Sequence, residues 1–328
     1  MINTNEEPQM KRILVTAVGG DLALSVIKCL RESGQDMFIV GCDMNPYAAG
    51  RAVVNDFIIA PPVKNETQYS DFIQGIIETN HIDYVFPVSE VEIEFFLRKK
   101  EQFHHLGAVF VMNEPQIVET FVDKFQTIEF FKANGILCPD TCLQAGYDGR
   151  LKFPVILKKR RGSGSQGLFK VTDEEELQFY LKRNRDMIIQ KHIPGDDAEY
   201  TACIFSDGQN YYTITFKRRL APGGYSNYVE LIDNDNVNGF LEQIAIALKM
   251  QMKFKGSINV QFRITGGKCI PFEVNPRFSS TVYFRHRFGF TDILWTLDML
   301  AGRPIGYTPL YKHGIGVKNF GEVFFEMV

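Results

Sequence analysis

A chain of 328 residues, 45% of them hydrophobic, is long enough for about two domains with buried cores of their own. Its 36 Lys and Arg stand against 39 Asp and Glu, a net charge of -3 with no long run of either sign, which argues against nucleic acid as a main partner. No apolar run is long enough to span a bilayer, the opening residues are polar and acidic rather than signal-like, and six scattered cysteines read as reduced core thiols without zinc spacing, so a cytoplasmic protein is expected.

Residues 12–17 (RILVTA) form a β-branched run that gives way to Gly19-Gly20-Asp21 and an apolar-periodic stretch over 22–30, which predicts strand, turn and helix. A second strand is predicted at 38–43, ending in Asp43, a third at 57–59 and a fourth at 84–88, with helical spacing over 69–80. This alternation predicts an open, mostly parallel α/β unit over residues 1–113. Residues 116–134 read as one or two helices stopping at Gly135. From residue 153 onward the pattern changes to strands joined by Gly-rich turns, at 153–159, 165–171, 188–193, 200–208, 211–219, 257–264 and 269–275, with helices at 173–183 and 239–250. These predict antiparallel sheets, divided here into units 114–186 and 187–328.

Three constellations carry chemistry. In the first, a strand containing Lys158 runs into residues 160–167 (RRGSGSQG) and then a second strand. Gly162, Gly164 and Gly167 let backbone N–H groups approach an anion, and Lys158 supplies the charge a nucleotide phosphate needs. An ordinary flexible hairpin explains this loop equally well by itself, and it lacks the Gly-Lys-Ser/Thr ending of a Walker loop. In the second, residues 256–266 (GSINVQFRITG) precede 269–278 (CIPFEVNPRF). Strand alternation puts Glu273 and Asn275 on one face, and a hairpin partner brings Gln261 beside them, three oxygen-bearing groups of the kind magnesium takes together with phosphate oxygens. Arg277 then reaches a terminal phosphate or a substrate oxyanion. A solvated Glu273 is the competing reading, but an acid within the apolar run 270–274 is costly to bury without a cation. The third, residues 188–201 (IIQKHIPGDDAEYT), offers backbone groups near Lys191–Ile193 to adenine and Glu199 to ribose, a weak signal alone. Two basic clusters remain. Lys217 and Arg219 share one strand face and Arg218 the other, while Arg285, His286 and Arg287 meet an anionic acceptor or form a solvated helix face.

In order and spacing these segments resemble ATP-grasp enzymes, most of all the large-chain synthetase units of carbamoyl phosphate synthetase and related carboxylate-amine ligases. The resemblance spans nearly the whole chain, and its most specific part is Gln261, Glu273, Asn275 and Arg277 followed by Phe278-Ser279-Ser280-Thr281. It implies an ATP-grasp fold, α/β and α+β, in which a Rossmann-like pre-ATP-grasp domain precedes two α+β subdomains that clasp ATP. It further implies that Gln261, Glu273 and Asn275 bind the magnesium or manganese ions bridging the ATP phosphates, and that Arg277 contacts the transferring phosphoryl group. Lys124 and Lys158 fall on the phosphates, Gly162, Ser163, Gly164 and Gly167 on a mobile flap, Gln190, Lys191, His192 and Ile193 beside adenine, and Glu199 at the ribose. The run containing Arg219 falls where family members often bind phosphate or the acid substrate, which adds Arg219 to Lys158 and Arg277 as a catalytic candidate.

Two departures stand out. Lys191 occupies a position where many relatives carry an acid, and residues 19–24 (GGDLAL) lack the spaced glycines of a dinucleotide site, which weakens a ribose reading of Asp43. The implied activity is ATP- and magnesium-dependent joining of a small-molecule carboxylate to an amine through an acyl phosphate, with ADP and phosphate released. A nicotinamide-dependent oxidoreductase and a non-catalytic nucleotide-binding subunit are the alternatives. Relatives often dimerise, which leaves a homodimer open, and neither nucleic acid nor a membrane is expected as a partner.

Overall fold

The computed structural model describes residues 10–162, 164, 167–194, 199–310 and 313–319. The first unit strings together β1 (Lys11–Thr16), α1 (Asp21–Arg31), β2 (Met37–Asp43), β3 (Asp56–Ile59), α2 (Glu66–Asn80), β4 (Tyr84–Phe86), α3 (Glu90–Arg98), α4 (Lys100–Phe103) and β5 (Val109–Phe110). Its five strands lie in the order β3-β2-β1-β4-β5, every pair parallel. Strand alternation divides β1 between two cores, Ile13 and Val15 packing with α1 on one face, and Leu14 with Tyr69, Phe95 and Phe96 on the other. Burial on both faces is why these strands are apolar throughout, and why the carboxyl edge of the sheet is left for function.

Two helices follow, α5 (Pro115–Val122) and α6 (Lys124–Ala133). Asp123 separates them and caps α6, its Oδ1 accepting from the amides of Phe125 and Gln126 at 3.0 and 3.2 Å. Next come β6 (Thr141–Leu143), β7 (Val155–Lys159), β8 (Phe169–Val171), α7 (Glu174–Leu181) and β9 (Met187–Lys191), with the strands arranged β6-β9-β7-β8. The rest is β10 (Glu199–Ser206), β11 (Tyr211–Leu220), β12 (Ser226–Ile232), α8 (Asp235–Met252), β13 (Gly256–Thr265), β14 (Lys268–Asn275), α9 (Val282–Arg287), α10 (Asp292–Leu300) and β15 (Ile315–Val317). These strands make a six-stranded antiparallel sheet in the order β14-β13-β10-β11-β12-β15. Along β10, Ala202 and Ile204 pack under α8, whereas Cys203 and Phe205 pack with Phe288, Phe290 and Trp295 on the opposite face.

The fold class expected from the sequence is what the chain adopts, a parallel α/β unit followed by antiparallel sheets. Two boundaries differ. The sequence pattern places the strand at 188–193 in the last unit, yet β9 is hydrogen-bonded between β6 and β7, so the smaller sheet closes at Lys191. It places helices α5 and α6 in the middle unit, yet Ile117, Phe121, Ile128 and Phe131 bury against Val260 and Val274 of the large sheet. Their apolar faces need a broad surface to cover, and the four-stranded sheet already fills its own core with α7. Strands β5, β6, β12 and β15 have no counterpart in the sequence reading. Among the described residues no helix is long and apolar enough to cross a membrane.

One close approach fixes the first β–α turn. The Gly50 amide donates to the Val18 carbonyl at 3.1 Å, and a Cβ on Gly50 would lie 2.3 Å from that oxygen. Urea unfolding of Gly50→Ala is expected to show a loss of about 2 kcal/mol. Gly75→Ala, in helix α2 with nothing within 4 Å of the added carbon, should instead gain about 0.5 kcal/mol from helix propensity.

Candidate active site

A cavity of about 730 Å³ lies where the carboxyl edge of the parallel sheet meets the two antiparallel sheets. Its floor is the β13–β14 hairpin. Register sets Gln261 opposite Glu273 and Asn259 opposite Asn275, and Glu273 Oε1 accepts from the side-chain amides of Gln261 and Asn275, each at 3.4 Å. The next pair is Phe262 with Pro271, so Phe272 is an extra residue on β14. Proline lacks an amide hydrogen, and a bulge is where a strand tolerates it. The Phe272 carbonyl released by this irregularity accepts from Lys158 Nζ at 3.1 Å. One carboxylate and two amide side chains on paired strands, with Asn275 buried, fit a hard divalent cation that completes its shell with phosphate oxygens.

Lys158 is 4% exposed, and that burial pushes its ammonium down to about pKa 8; Glu273 and Glu199 act in the opposite sense, and Lys124 lowers it further. At the first position of α6, Lys124 donates from its amide to the Arg160 carbonyl at 2.9 Å and from Nζ to the Gly162 carbonyl at 2.6 Å. The base of the glycine hairpin is held further by an ion pair of 2.7 Å between Arg160 and the buried Asp123. Gly162, Gly164 and Gly167 all have positive φ, and among the described residues nothing lies within 4 Å of a Cβ added to the first two, so the hairpin's backbone depends on glycine. Ser163 lies outside the described residues.

Gln190, Lys191, His192 and Ile193 line the cavity at the end of β9. Gln190 is buried and donates to Thr141 Oγ1 at 3.0 Å, and the Lys191 and His192 amides are taken by the carbonyls of Asp140 and Pro154 at 2.8 and 3.2 Å. Burial first, then Lys170 and Arg263, lower the His192 pKa and favour the neutral ring. Glu199 opens β10 opposite Arg218 of β11 and forms an ion pair with it. Arg218 Nη2 also donates to Gln261 Oε1 at 2.9 Å, which joins Glu199 to the hairpin floor.

The assignment of Arg219 is corrected here. Strand alternation holds, but the inward face carries Arg218, because Glu199 and Gln261 are there to receive a buried guanidinium; Arg219 is exposed and stacks on Tyr228 at 4.7 Å. The second basic cluster also differs from both readings. Arg285 is 1% exposed, paired with Asp292 at 2.7 Å, and donates to Ser279 and Thr281 at 2.8 and 3.0 Å, while His286 and Arg287 face Glu32. Arg277 lines the cavity, and sequence reasoning misses its partner: Nη2 donates to Glu90 Oε1 of α3 at 2.9 Å. Nothing around Glu90 signals this, since Ser89 followed by Glu92 announces only a helix start. Asp43 spends one oxygen on its own loop and the other on the turn after β1, accepting from the Asn45 and Gly19 amides at 2.8 Å each.

Residues 121–281 match the model of the ATP-grasp domain, and residues 13–111 match that of the PylC-like N-terminal domain. The chain therefore carries an ATP-grasp domain preceded by a PylC-like N-terminal domain. Within that class it is similar to the carbamoyl phosphate synthase large chain of Clostridium beijerinckii, 31% identical over 278 residues that make up 78% of this chain and 25% of that one. The chain thus spans about a quarter of the length of that relative. Its fold is shared with N5-carboxyaminoimidazole ribonucleotide synthetase from Thermus thermophilus (TM-score 0.72, 19% identity, 93% of this chain and 82% of that one). It is likewise shared with the biotin carboxylase of Campylobacter jejuni, seen as a complex with β-γ-ATP (TM-score 0.73, 16% identity, 94% and 75%).

The buried pair separates two neighbouring arginines. Arg218→Ala leaves Glu199 without its cation and should cost roughly 2–3 kcal/mol in urea unfolding, against less than about 0.5 for Arg219→Ala. Lys158 adds a pH dependence. Its ammonium is present below the folded value of about 8 and lost above it, and a bound phosphate favours the charged form. ADP affinity measured by calorimetry should therefore be full at neutral pH and fall by up to about tenfold per pH unit above that value, a slope absent in Lys158→Met.

Proposed function

We propose that the chain is an ATP- and magnesium-dependent carboxylate-amine ligase that works through an acyl phosphate and releases ADP and phosphate. One observation carries this reading: Gln261, Glu273 and Asn275 converge on two paired strands, in the same cavity as Lys158 and Arg277. Similarity to a carbamoyl phosphate synthase large chain, and a fold shared with an ADP-bound ribonucleotide synthetase, support it.

In this reading ATP lies between the two antiparallel sheets, its base against residues 190–193 and its ribose hydroxyls toward Glu199. Lys124, Lys158 and the amides of the glycine hairpin hold the phosphates. Magnesium or manganese, held by Glu273, Asn275 and Gln261, would neutralise the triphosphate and polarise its terminal phosphoryl group. The acid's carboxylate oxygen attacks the γ-phosphorus in line while the bond to ADP breaks, and Arg277 balances the charge that develops on the phosphoryl oxygens. An amine then attacks the acyl carbon, and phosphate leaves as the C–N bond forms. Positioning and charge supply most of the rate, and no covalent enzyme intermediate is needed.

The test is phosphate release from MgATP by the purified chain across a panel of acids and amines. With an active pair, Glu273→Ala and Asn275→Ala should each lower turnover by about a thousandfold, whereas Cys142→Ser stays within about twofold of the parent. Undiminished turnover in Glu273→Ala would contradict the assignment.

A further inference from the structure

The cavity has two electrical sides. Lys124, Lys158, Lys170 and Arg218 crowd the nucleotide end. The opposite wall, made by the carboxyl edge of the parallel sheet and the first turns of α1 and α3, carries Asp21 and Glu90, with Glu92 one layer behind Ser89. Asp21 is paired with Lys318 and Glu90 with Arg277. Glu92 is 5% exposed and accepts from three hydroxyls, Ser89 and Tyr69 at 2.6 Å and Thr16 at 2.9 Å; among the described residues no Lys or Arg pairs with it. Burial, and then the Glu92 charge, push the Tyr69 phenol well up, which keeps it a donor. The wall therefore carries three carboxyl groups, of which Asp21 and Glu90 have a cation partner among the described residues.

Glu90 is where that wall meets the reaction path. Both contacts from Arg277 fall on Oε1, at 2.9 and 3.3 Å, and among the described residues Oε2 takes none. The side chain is 10% exposed and faces the cavity, joined to the end of the metal strand by way of Arg277. An anionic acid placed here would meet Asp21 and Glu90, so the acid belongs on the cationic side. A cation placed here completes the wall.

We propose that the nucleophile received at this wall is a primary ammonium ion, docked on Oε2 of Glu90, and that Glu90 takes the proton the nitrogen must lose before it attacks. This rests on the ligase reading and names its acceptor class. R–NH₃⁺ passes one proton to the Glu90 carboxylate. The neutral amine then forms the bond to the acyl carbon as the C–O bond to phosphate breaks, and the second proton leaves with phosphate.

The experiment is calorimetric titration of the full chain, saturated with MgADP, with 1,4-diaminobutane and glycinamide, and with propionate as the anionic control. Both ammonium probes are expected to bind the parent protein, and to bind Glu90→Gln about tenfold more weakly, as loss of one charge-assisted contact predicts. The amide keeps an oxygen for Arg277, so MgADP affinity and any propionate binding should stay within about twofold. Equal ammonium affinity in the two proteins overturns the proposal, as does absence of ammonium binding to the parent up to about 50 mM. Parallel weakening of MgADP or propionate in Glu90→Gln also overturns it, since that pattern marks Glu90 as a support for Arg277 only. Failure of the parent to bind MgADP counts instead against the nucleotide-dependent reading itself.

Discussion

The pairing of β13 with β14 is the constraint on which the rest of the site depends. Register alone brings Gln261 to Glu273 and Asn259 to Asn275, and the irregularity at Phe272 then turns a carbonyl to Lys158, which comes from a different sheet. Register thus sets the donor set, and one local feature, the irregularity beside a proline, sets the contact with the cation above it. The two antiparallel sheets meet at that contact, 114 residues apart in sequence. A shift by one residue would send Glu273 and Asn275 to the core face and bring Val274 into the cavity.

The charges around this floor are buried ones, and buried charges are poor sources of stability. Taking an ion pair out of water costs about as much as the pair returns, so Arg218 with Glu199 and Arg285 with Asp292 are better understood by what they hold in place. Arg218 links the acid at the start of β10 to Gln261. Arg285 and Asp292 together engage Ser279, Thr281 and Ser257, which fixes the loop leaving β14 and the start of β13. Burial makes the charge on Lys158 costly to keep, and an anion arriving beside it holds the proton more firmly. The molecule holds these groups in partnerships with one another across strands of two sheets.

The parallel unit contributes a wall rather than a nucleotide loop. Asp43 is used between two turns of the sheet edge, and that edge instead offers Glu90 to Arg277 and Asp21 to Lys318, each spanning the gap between the first unit and the rest of the chain. Asn113, in the connection between the units, donates to the carbonyls of Ser257 and Pro276 at 2.8 and 2.9 Å, so the same hairpin that floors the cavity is also tied to the wall.

Much of this was legible in the residues taken in order. The period-two runs marked most of the strands, glycine and proline marked their ends, and Gln261, Glu273, Asn275 and Arg277 could be set in one place because a hairpin's alternation is decided by neighbours in sequence. The glycine hairpin with Lys158 is local in the same sense. What sequence could not decide is which of two faces turns inward. Lys217 to Arg219 alternate as expected, yet Arg218 is the buried member, because its partners Glu199 and Gln261 come from other strands. The same holds for β9, for helices α5 and α6, for β15 and for Glu90, which lies 187 residues from Arg277. Local chemistry determined the elements and the donor set; tertiary packing alone chose their partners, because burial is a property of surfaces that meet only once the chain has folded.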